Sequence, residues 1–320
     1  MQASLIFAIT LLAAAPAGAD TAYITNEKGN SITLVDLDKL VAVKTVDVGQ
    51  RPRGVALSKD QSKLYVCLGD DDTIAILDAK TLARVGDLPS GLDPEQIRLS
   101  PDGKLAFVAN ENDAMLTGID LATKRAVVEV SVGVEPEGLA VSKDGAIVVN
   151  TSETTSMAHL IDWRAKKLVG NILVGGRPRY AEFSPDGKEL WVTSEVGGGV
   201  TIIDPEKKAI IAKIAFEVPG LRKEQIQPVG IRFSQDGKQA FVALGPANRI
   251  AVIDTANRQP TKYLLVGQRV WQLELSPDGK TLVSTNGVSN DISVIDVASL
   301  KVVKSIPVGS FPWGVAISSP

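Results

Sequence analysis

Short apolar stretches alternate with polar turns along nearly the whole chain, and this pattern predicts β-strands with essentially no helix. In one unit the small apolar stretch Gly54–Leu57 is followed by Leu64–Val66 and then by Thr73–Asp78. Stretches such as Lys208–Ala212 and Leu300–Val303 are apolar at nearly consecutive positions. Such runs predict strands that are buried on both faces between neighbouring sheets.

Polar positions repeat with a fixed period and divide the chain into seven units. Serines recur every 42 residues, with one interval of 50, at Ser58, Ser100, Ser142, Ser184, Ser234, Ser276 and Ser318. Aspartates keep the same period at Asp36, Asp78, Asp120, Asp162, Asp204, Asp254 and Asp296. The serines begin turns such as Ser100–Gly103, in which proline presets φ and glycine takes the positive φ that closes a hairpin. The repeat predicts an all-β fold, a seven-bladed β-propeller of four-stranded antiparallel blades.

The two ends of the chain are expected to share the last blade. Phe311–Ser318 reads as a first strand with nothing after it, and the three missing strands lie at the other end, in Tyr23–Asn26, Ser31–Asp36 and Val41–Lys44. Closure in this way removes the exposed sheet edges that invite aggregation. The sequence therefore predicts a single propeller domain over residues 20–320.

Residues 1–19 differ from the repeats and are expected to form an export signal peptide. An apolar run over Leu5–Ala14 precedes Pro16 and the small residues Ala17–Ala19, although Lys and Arg are absent from this segment. The run is too short to span a bilayer, which takes roughly 20 residues. A periplasmic location follows, without a transmembrane segment in the mature chain.

Composition excludes several classes of function. The formal net charge of −3 and the pI near 5.4 offer no general attraction to nucleic acid. Cys67 is the single cysteine, so no internal disulfide forms, and its strand position predicts a buried, inert thiol. One histidine, His159, excludes a His-rich zinc or copper site and a haem held through Cys-x-x-Cys-His, so cytochrome-type propellers are expected to be poor models. The chain also lacks a Gly-x-Ser-x-Gly elbow and a phosphate loop.

The repeats resemble those of the YVTN family of β-propellers over residues 22–318, on the basis of Tyr23–Asn26, the Val-Gly-x-x-Pro-x-Gly lead-ins and the Ser-Pro-Asp-Gly turns. Four stretches are more distinctive and resemble the β-propeller subgroup associated with PQQ-dependent catabolism: Phe241–Arg249, Val266–Trp271, Thr285–Asp291 and Pro312–Gly314. This resemblance implies a periplasmic accessory protein. Its partner would belong to a quinoprotein dehydrogenase system or be a transporter component. The resemblance supplies no catalytic residues.

Function in a propeller usually lies where the loops leading into the first strands surround the mouth of the central channel. Each of these loops carries variable residues on either side of a position that is proline in most repeats. Those that are charged or aromatic are the candidates for binding a ligand or partner. They are Arg51, Arg53, Asp93, Glu95, Glu135, Glu137, Arg177, Arg179, Arg269, Trp271, Phe311 and Trp313. Two acidic blades are thus flanked by two Arg-x-Arg blades, with aromatic residues on the opposite side.

Several ligands are compatible with this mouth. The carboxylates suit a Ca²⁺-like cation, a basic protein surface, or an ammonium or polyhydroxylated small molecule. The arginines could instead neutralise the acids internally. Trp271 and Trp313 are expected to be exposed at the mouth, where their rings could stack on a ligand. No cofactor is predicted, and the metal content stays open.

Deeper in the channel, one position of the first strand carries charges on four blades. These are Arg98, Glu182, Arg232 and Glu274, which are expected to form a solvated, ion-paired wall. The one long repeat interval adds Glu217–Gln227 on the mouth side, either as a lid, a partner contact or a tolerated insertion.

These observations favour an exported, non-catalytic propeller that binds a small molecule or protein partner at the mouth, in the service of PQQ-dependent alcohol oxidation or transport. Two alternatives stay open. One is a lactonase-like or sugar-processing hydrolase that uses mouth carboxylates such as Glu95 and Glu137. The other is a propeller that binds single-stranded nucleic acid through its Arg-x-Arg loops.

Overall fold

The computed structural model describes residues 20–319, and these form seven antiparallel sheets of four strands each around a central channel. The signal peptide predicted over residues 1–19 lies outside the described residues. The three strands at the start of the chain are β1 (Thr21–Asn26), β2 (Ser31–Asp36) and β3 (Val41–Asp47). No helix of the described chain has the length and apolar character needed to cross a membrane.

Blades 1 to 6 follow one another along the chain. Blades 1 and 2 are β4 (Pro52–Leu57), β5 (Lys63–Leu68), β6 (Thr73–Asp78) and β7 (Arg84–Pro89), then β8 (Pro94–Leu99), β9 (Leu105–Asn110), β10 (Met115–Asp120) and β11 (Arg125–Ser131). Blades 3 and 4 are β12 (Pro136–Val141), β13 (Ile147–Ser152), β14 (Met157–Asp162) and β15 (Lys167–Leu173), then β16 (Pro178–Phe183), β17 (Leu190–Ser194), β18 (Gly199–Asp204) and β19 (Ala209–Ala215). Blades 5 and 6 are β20 (Ile231–Phe233), β21 (Gln239–Ala243), β22 (Arg249–Asp254) and β23 (Gln259–Leu265), then β24 (Val270–Leu275), β25 (Thr281–Asn286), β26 (Asp291–Asp296) and β27 (Lys301–Pro307). Two short 3₁₀ helices, Gly69–Asp71 and Lys223–Gln225, complete the elements of the described residues.

The seventh blade is closed by both ends of the chain, as the sequence predicts. The last strand, β28 (Pro312–Ser318), pairs antiparallel with β1, and the sheet runs in the order β28, β1, β2, β3. The register places Thr21 opposite Ser318 and Ile24 opposite Val315. We call this sheet the closing blade.

The core lies between adjacent blades, and it includes the second and third strands of each. Ile24 and Val35 of the closing blade, for example, pack with Val283 and Val294 of blade 6. The fourth strands do not follow the prediction, because β19 and β27 are mostly exposed along their length. They form the outer rim of the ring, so their apolar residues reflect β-propensity and not burial on two faces.

The repeated polar residues build the turns that join the strands. Ser100 Oγ donates to Asp102 Oδ1 at 2.6 Å, Leu105 N donates to Ser100 Oγ at 2.9 Å, and Gly103 has a φ of +73°. The aspartate series acts at the ends of third strands, where Asp78 Oδ1 accepts from Thr81 N at 2.7 Å. Both series are therefore structural.

The seven innermost strands approach one another so closely that the channel is narrow. Glycine is required at two of the closest approaches, because a Cβ on Gly138 would lie 2.7 Å from Tyr180 Cα and one on Gly314 would lie 2.4 Å from Arg53 O. Side chains from the alternate blades, such as Gln96, Tyr180 and Gln272, fill the channel at this level.

Cys67 is fully buried in β5, and burial raises the pKa of its thiol well above the usual value. The expectation of a buried thiol is confirmed, and the raised pKa disfavours the reactive thiolate.

Candidate functional site

The loops that lead into the first strands place their charged side chains at one end of the channel. Residues directly before these strands adopt left-handed backbone conformations with φ between 50° and 59°, and they are Arg51, Asp93, Glu135, Arg177, Arg269 and Phe311. This conformation turns the chain into the strand. Two residues later comes a second ring of side chains, which we call the mouth layer: Arg53, Glu95, Glu137, Arg179, Val229, Trp271 and Trp313.

Arg53 lies at the centre of one half of the mouth layer. Its guanidinium contacts Glu27 Oε1 at 2.9 Å, Glu137 Oε1 at 3.5 Å, and the carboxylate of Glu95. Burial disfavours the charge on Arg53, but attraction to Glu95, Glu137 and Glu27 outweighs burial and raises its pKa well above the usual value. Arg53 therefore links its own blade to three others through a charged group that stays protonated.

Arg179 has the same role in the other half. It is 3% exposed, and its guanidinium lies 2.8 Å from Glu137 Oε1 and 3.7 Å from Glu195 Oε2 and also contacts Glu153. Burial opposes the charge, yet Glu137, Glu153 and Glu195 raise the pKa of Arg179. Glu137 thus receives a guanidinium from each side, and the two arginines bracket the acidic blades.

Other predicted residues extend the network outward. Arg51 Nε lies 2.8 Å from Asp70 Oδ1, and the same guanidinium contacts Asp93 and lies 3.3 Å from Glu95 Oε1. On the far side, Arg177 Nε lies 2.5 Å from Glu153 Oε2. The mouth arginines are therefore used to neutralise mouth carboxylates, which was one of the alternatives that the sequence left open.

Arg269 and Glu135 complete the charged rim. Arg269 Nη2 lies 2.5 Å from Glu195 Oε1, and its Nη1 donates to Gln227 Oε1 at 2.7 Å. Glu135 accepts from Thr154 Oγ1 at 2.5 Å and joins no ion pair among residues 20–319.

The two tryptophans lie against the arginines of the mouth layer. Trp313 is 1% exposed and its ring lies 5.5 Å from Arg53 Cζ, while Trp271 is partly buried between Arg179 at 5.5 Å and Arg269 at 4.1 Å. The prediction that Trp313 is exposed at the mouth is wrong, because its ring packs beneath the Arg53 guanidinium. Such cation–π contacts stabilise arginine and ring together.

Phe311 lies at the outer edge of the mouth. Its ring is partly buried and carries Lys28 Nζ at 4.0 Å from the centroid. Of the three predicted aromatic residues, Trp271 and Phe311 are partly accessible and Trp313 is not.

Sequence reasoning missed two carboxylates of the network, Glu27 and Glu195. Both directly follow a second strand, β1 and β17, at the same repeat position as Glu111 and Glu153. Aligning the seven repeats at this position would have identified them. The residue after the second strand faces the channel mouth in each of these blades.

The neighbouring carboxyl groups of Glu95 and Glu111 change each other's pKa. Burial, the hydrogen bond to Glu95 and repulsion from its charge raise the pKa of Glu111 from 4.5 to about 7, whereas the pKa of Glu95 is lowered despite burial by Arg53, Glu111 and Arg51. Burial also raises the pKa of Glu137 well above its usual value, and its Oε2 has no hydrogen-bond partner among the described atoms. The acidic side therefore holds more carboxylates than its arginines neutralise.

The Glu111 carboxyl makes stability depend on pH. The folded state retains a proton that the unfolded chain loses above pH 4.5, so the free energy of unfolding should fall by about 1–3 kcal/mol as the pH rises from about 4.5 to about 7. Glu111→Gln is expected to remove this fall, as measured by urea unfolding at pH 5 and pH 8. Glu129→Gln, at an exposed position of β11, is the control and should keep it. Identical pH slopes in both variants would contradict the assignment.

A group of three carboxylates, Asp93, Glu95 and Glu111, brings oxygen atoms within 4.8 Å of one another. Arg51 contacts Asp93 and Glu95, and Arg53 contacts Glu95. Arginines thus occupy two of the three carboxylates, and the raised pKa of Glu111 favours its protonated form, so we assign no metal ion to this cluster.

Below the mouth layer the channel is nearly filled. The cavity there has a volume of about 10 Å³, enough for one water molecule. Of the four predicted wall charges, Arg232 lies 2.8 Å from Glu274 Oε2 and 3.2 Å from Glu182 Oε2. Arg98 contributes to the same wall but joins no ion pair within the described chain.

The insertion Glu217–Gln227 is packed against blades 4 and 5. Val218 and Ile226 are buried in the core cluster of Trp191, and Gln227 N donates to Leu244 O at 3.3 Å. These contacts hold the segment against the ring. They do not favour the expectation that it acts as a movable lid.

Comparisons with known proteins agree with the fold. A family described as the cytochrome D1 heme domain matches residues 65–172, roughly a third of the chain. No curated protein is significantly similar to this chain. Among solved structures, Kuenenia stuttgartiensis hydrazine synthase has a TM-score of 0.79 at 22% identity, covering 91% of this chain and 99% of that one.

Two further structures have different described activities. A putative 6-phosphogluconolactonase from Bacteroides uniformis has a TM-score of 0.76 at 17% identity, covering 94% of this chain and 100% of that one. The dihydro-heme d1 dehydrogenase NirN, in complex with DHE, has a TM-score of 0.70 at 15% identity, covering 92% of this chain and 74% of that one. At these identities the likeness shows the fold alone. The expectation that cytochrome-type propellers are poor models concerned haem chemistry, which a shared fold does not test.

The matching family is named for a haem, and the mouth of this chain does not fit one. A ligand of that size needs a cavity of at least about 300 Å³, whereas the cavity beneath the mouth layer has a volume of about 10 Å³. His159, the single histidine, is buried in β14, with Nδ1 2.7 Å from Asn171 Oδ1 and Nε2 accepting from Gly133 N at 3.1 Å. The chain is a seven-bladed β-propeller whose mouth is closed by a buried network of arginines, carboxylates and tryptophans.

Proposed function

We propose that this chain is a non-catalytic, periplasmic binding protein whose mouth face docks a protein partner with a basic surface. Its role would be accessory to PQQ-dependent alcohol oxidation or the associated transport. The observation that carries the docking proposal is the combination of a closed channel with exposed apolar and acidic residues around it.

The filled channel favours a surface contact over a small-molecule pocket. Glu95 is fully buried and Glu137 is 1% exposed, and Arg53 and Arg179 hold both. With a cavity of about 10 Å³ beneath them, the mouth offers a partner a broad face more readily than a deep site.

Exposed apolar side chains lie around the mouth on three adjacent blades. Leu92 is 49% exposed, Val134 is 51% and Val196 is 73%, and all three belong to mouth loops. Most other exposed large apolar residues of the described chain lie on the fourth strands. Apolar residues clustered within a polar rim are typical of protein interfaces.

Exposed carboxylates flank these apolar residues and indicate the charge of the partner. Asp70, Asp71, Asp72 and Asp113 are exposed in the mouth loops of blades 1 and 2. An acidic face attracts a basic protein and speeds its association at low salt. The biological setting rests on the resemblance to the PQQ-associated subgroup and on the expected signal peptide.

The two alternatives receive less support. A hydrolase would need accessible mouth carboxylates, but Glu95 and Glu137 are buried and bound to arginine. Binding of nucleic acid would need free Arg-x-Arg loops, but Arg51, Arg53 and Arg179 are engaged with carboxylates.

The docking face can be tested by placing charge on its apolar residues. The double variant Leu92→Lys and Val134→Lys is expected to fold normally and to lose at least about tenfold in affinity for the partner, because it removes apolar contacts and repels a basic surface. The measurement is affinity capture from a periplasmic extract of the source organism, followed by mass spectrometry and by binding measurements with the captured quinoprotein dehydrogenase or transporter component.

The matched control places the same charges on outer strands, as Val43→Lys and Val85→Lys, where the side chains are 58% and 53% exposed. This control should bind as the unaltered protein does. Equal retention of every captured protein by both double variants would exclude the mouth as the docking face.

A further inference from the structure

A second cavity lies at the opposite end of the channel, on the face of the Ser-Pro-Asp-Gly turns. Its volume is about 370 Å³, and it is lined by residues of blades 2, 3 and 4. Arg98 and Glu182 lie on its channel side, Lys143 lies at its rim, and Leu99, Val141 and Phe183 form apolar walls. We call it the turn-face pocket. Its volume is within the range of about 300–1,000 Å³ that small-molecule sites occupy.

Arg98 is the charged residue of the channel wall that has no carboxylate partner among the described residues. Its Nη1 donates to Ile97 O at 3.1 Å, its guanidinium lies 5.1 Å from the ring centroid of Tyr180, and its Nη2 is buried without a hydrogen-bond partner. Both carboxylates of the wall, Glu182 and Glu274, are bound by Arg232. A buried guanidinium with free hydrogen-bonding capacity is costly unless a ligand or a water molecule satisfies it, and Arg98 lines both the small channel cavity and the turn-face pocket.

The pocket lining carries two cationic side chains, Arg98 and Lys143, and one carboxylate, Glu182, which Arg232 already binds. Lys143 is exposed and its Nζ donates to Pro185 O at 3.3 Å, which leaves its charge without a carboxylate partner in the described chain. Burial and repulsion from Arg232 lower the pKa of Arg98 to about 10, so that it is still protonated at neutral pH. An anionic group is therefore attracted from two sides.

The small residue Ala140 leaves room at a wall position where Arg98 and Glu182 carry long side chains on the neighbouring blades. Leu99, Val141 and Phe183 are each partly exposed around this space. The pocket therefore combines an anion-binding end with an apolar body.

We propose that the turn-face pocket binds a small organic carboxylate with an apolar body, whose carboxylate pairs with Arg98 while its hydrocarbon part contacts Leu99, Val141 and Phe183. A guanidinium recognises a planar carboxylate through two parallel hydrogen bonds. The site lies on the opposite face from the mouth and does not depend on the docking proposal.

The test uses isothermal titration calorimetry of the purified protein at low salt with benzoate and hexanoate, and with benzamide as the uncharged analogue. Both carboxylates should bind at millimolar concentrations, and benzamide should not. Arg98→Gln is expected to weaken benzoate binding about tenfold or more through loss of the charge-assisted hydrogen bonds. Lys143→Glu should weaken it about threefold by reversing the charge at the rim.

Lys59→Glu is the matched control, because Lys59 occupies the same repeat position on blade 1 and donates to Pro101 O at 3.2 Å. It should leave benzoate binding unchanged, as should the Leu92→Lys and Val134→Lys variant of the mouth. If Arg98→Gln does not fold, the proposal is tested by comparing the benzoate affinities of Lys143→Glu and Lys59→Glu, of which only the first should be weakened. The proposal is overturned if neither carboxylate binds, if benzamide binds as well as benzoate, or if Lys143→Glu and a folded Arg98→Gln bind benzoate with the affinity of the unaltered protein.

Discussion

Replacing Arg179 by methionine is expected to lower the free energy of unfolding by about 3–5 kcal/mol at neutral pH. The substitution keeps an apolar stem but leaves Glu137, Glu153 and Glu195 with one cation fewer in a buried site. The cost arises mainly from these uncompensated buried charges and less from the lost attraction itself. Urea unfolding at pH 7 measures the effect.

The sign of the pH dependence provides an independent check on the Arg179 variant. Burial raises the pKa of Glu137 and attraction to Arg179 opposes this rise, so loss of the guanidinium raises that pKa further and acidification restores stability. The decrease in the free energy of unfolding caused by Arg179→Met should therefore be smaller at pH 5 than at pH 7.

Arg84→Met is the matched control, because Arg84 lies 2.6 Å from Asp87 but both side chains are well exposed, at 41% and 50%. This substitution should lower the free energy of unfolding by no more than about 1 kcal/mol. Equal losses for the two substitutions would show that the mouth network contributes no more than a surface pair.

Deleting residues 312–320 is expected to abolish the cooperative unfolding transition. The deletion removes β28, which pairs with β1 and buries Trp313, Val315 and Ile317. Each such side chain contributes about 1.5–3 kcal/mol by burial, and the strand also supplies the hydrogen bonds of the β1 edge. The sum is comparable to the whole stability of a typical domain, about 5–15 kcal/mol. Calorimetry and near-UV circular dichroism measure the result.

A shorter deletion, of residues 319 and 320 only, separates closure from truncation as such. Ser319 makes its hydrogen bonds to the exposed side chain of Gln61, outside the sheet. This variant should unfold with nearly the melting temperature of the intact chain. A normal transition in the longer deletion would mean that the closing strand is dispensable.

The fold could be predicted from sequence because the repeat fixes where each turn occurs. Serines equivalent to Ser100 and aspartates equivalent to Asp78 recur at the same place in every unit. Each of these two residues hydrogen-bonds to the backbone of its own turn, so the residue types that favour a turn stand where the repeat predicts one. Burial of individual strands was harder to infer. The apolar run in β19 resembles a core strand in composition, but its place at the outer rim is set by the order of strands within the blade.

The candidate site was only partly predictable. The sequence indicates which charges lie at the mouth, but not whether they face solvent or one another. Arg179 and Glu137 are on different blades and come within 2.8 Å only because the ring brings the lead-in loops together. The prediction that Trp313 is exposed failed in the same way. Its position in the loop does not reveal that the guanidinium of Arg53, from a neighbouring blade, covers its ring.

Closure by both termini has a consequence for how the molecule is made. Gly314 N donates to Thr25 Oγ1 at 2.8 Å, across a separation of 289 residues. The closing blade therefore forms only after two distant parts of the chain have met, and contacts of such long range make folding slow. A chain without β28 would leave the first edge of β1 unpaired, and such an edge is open to pairing with another chain.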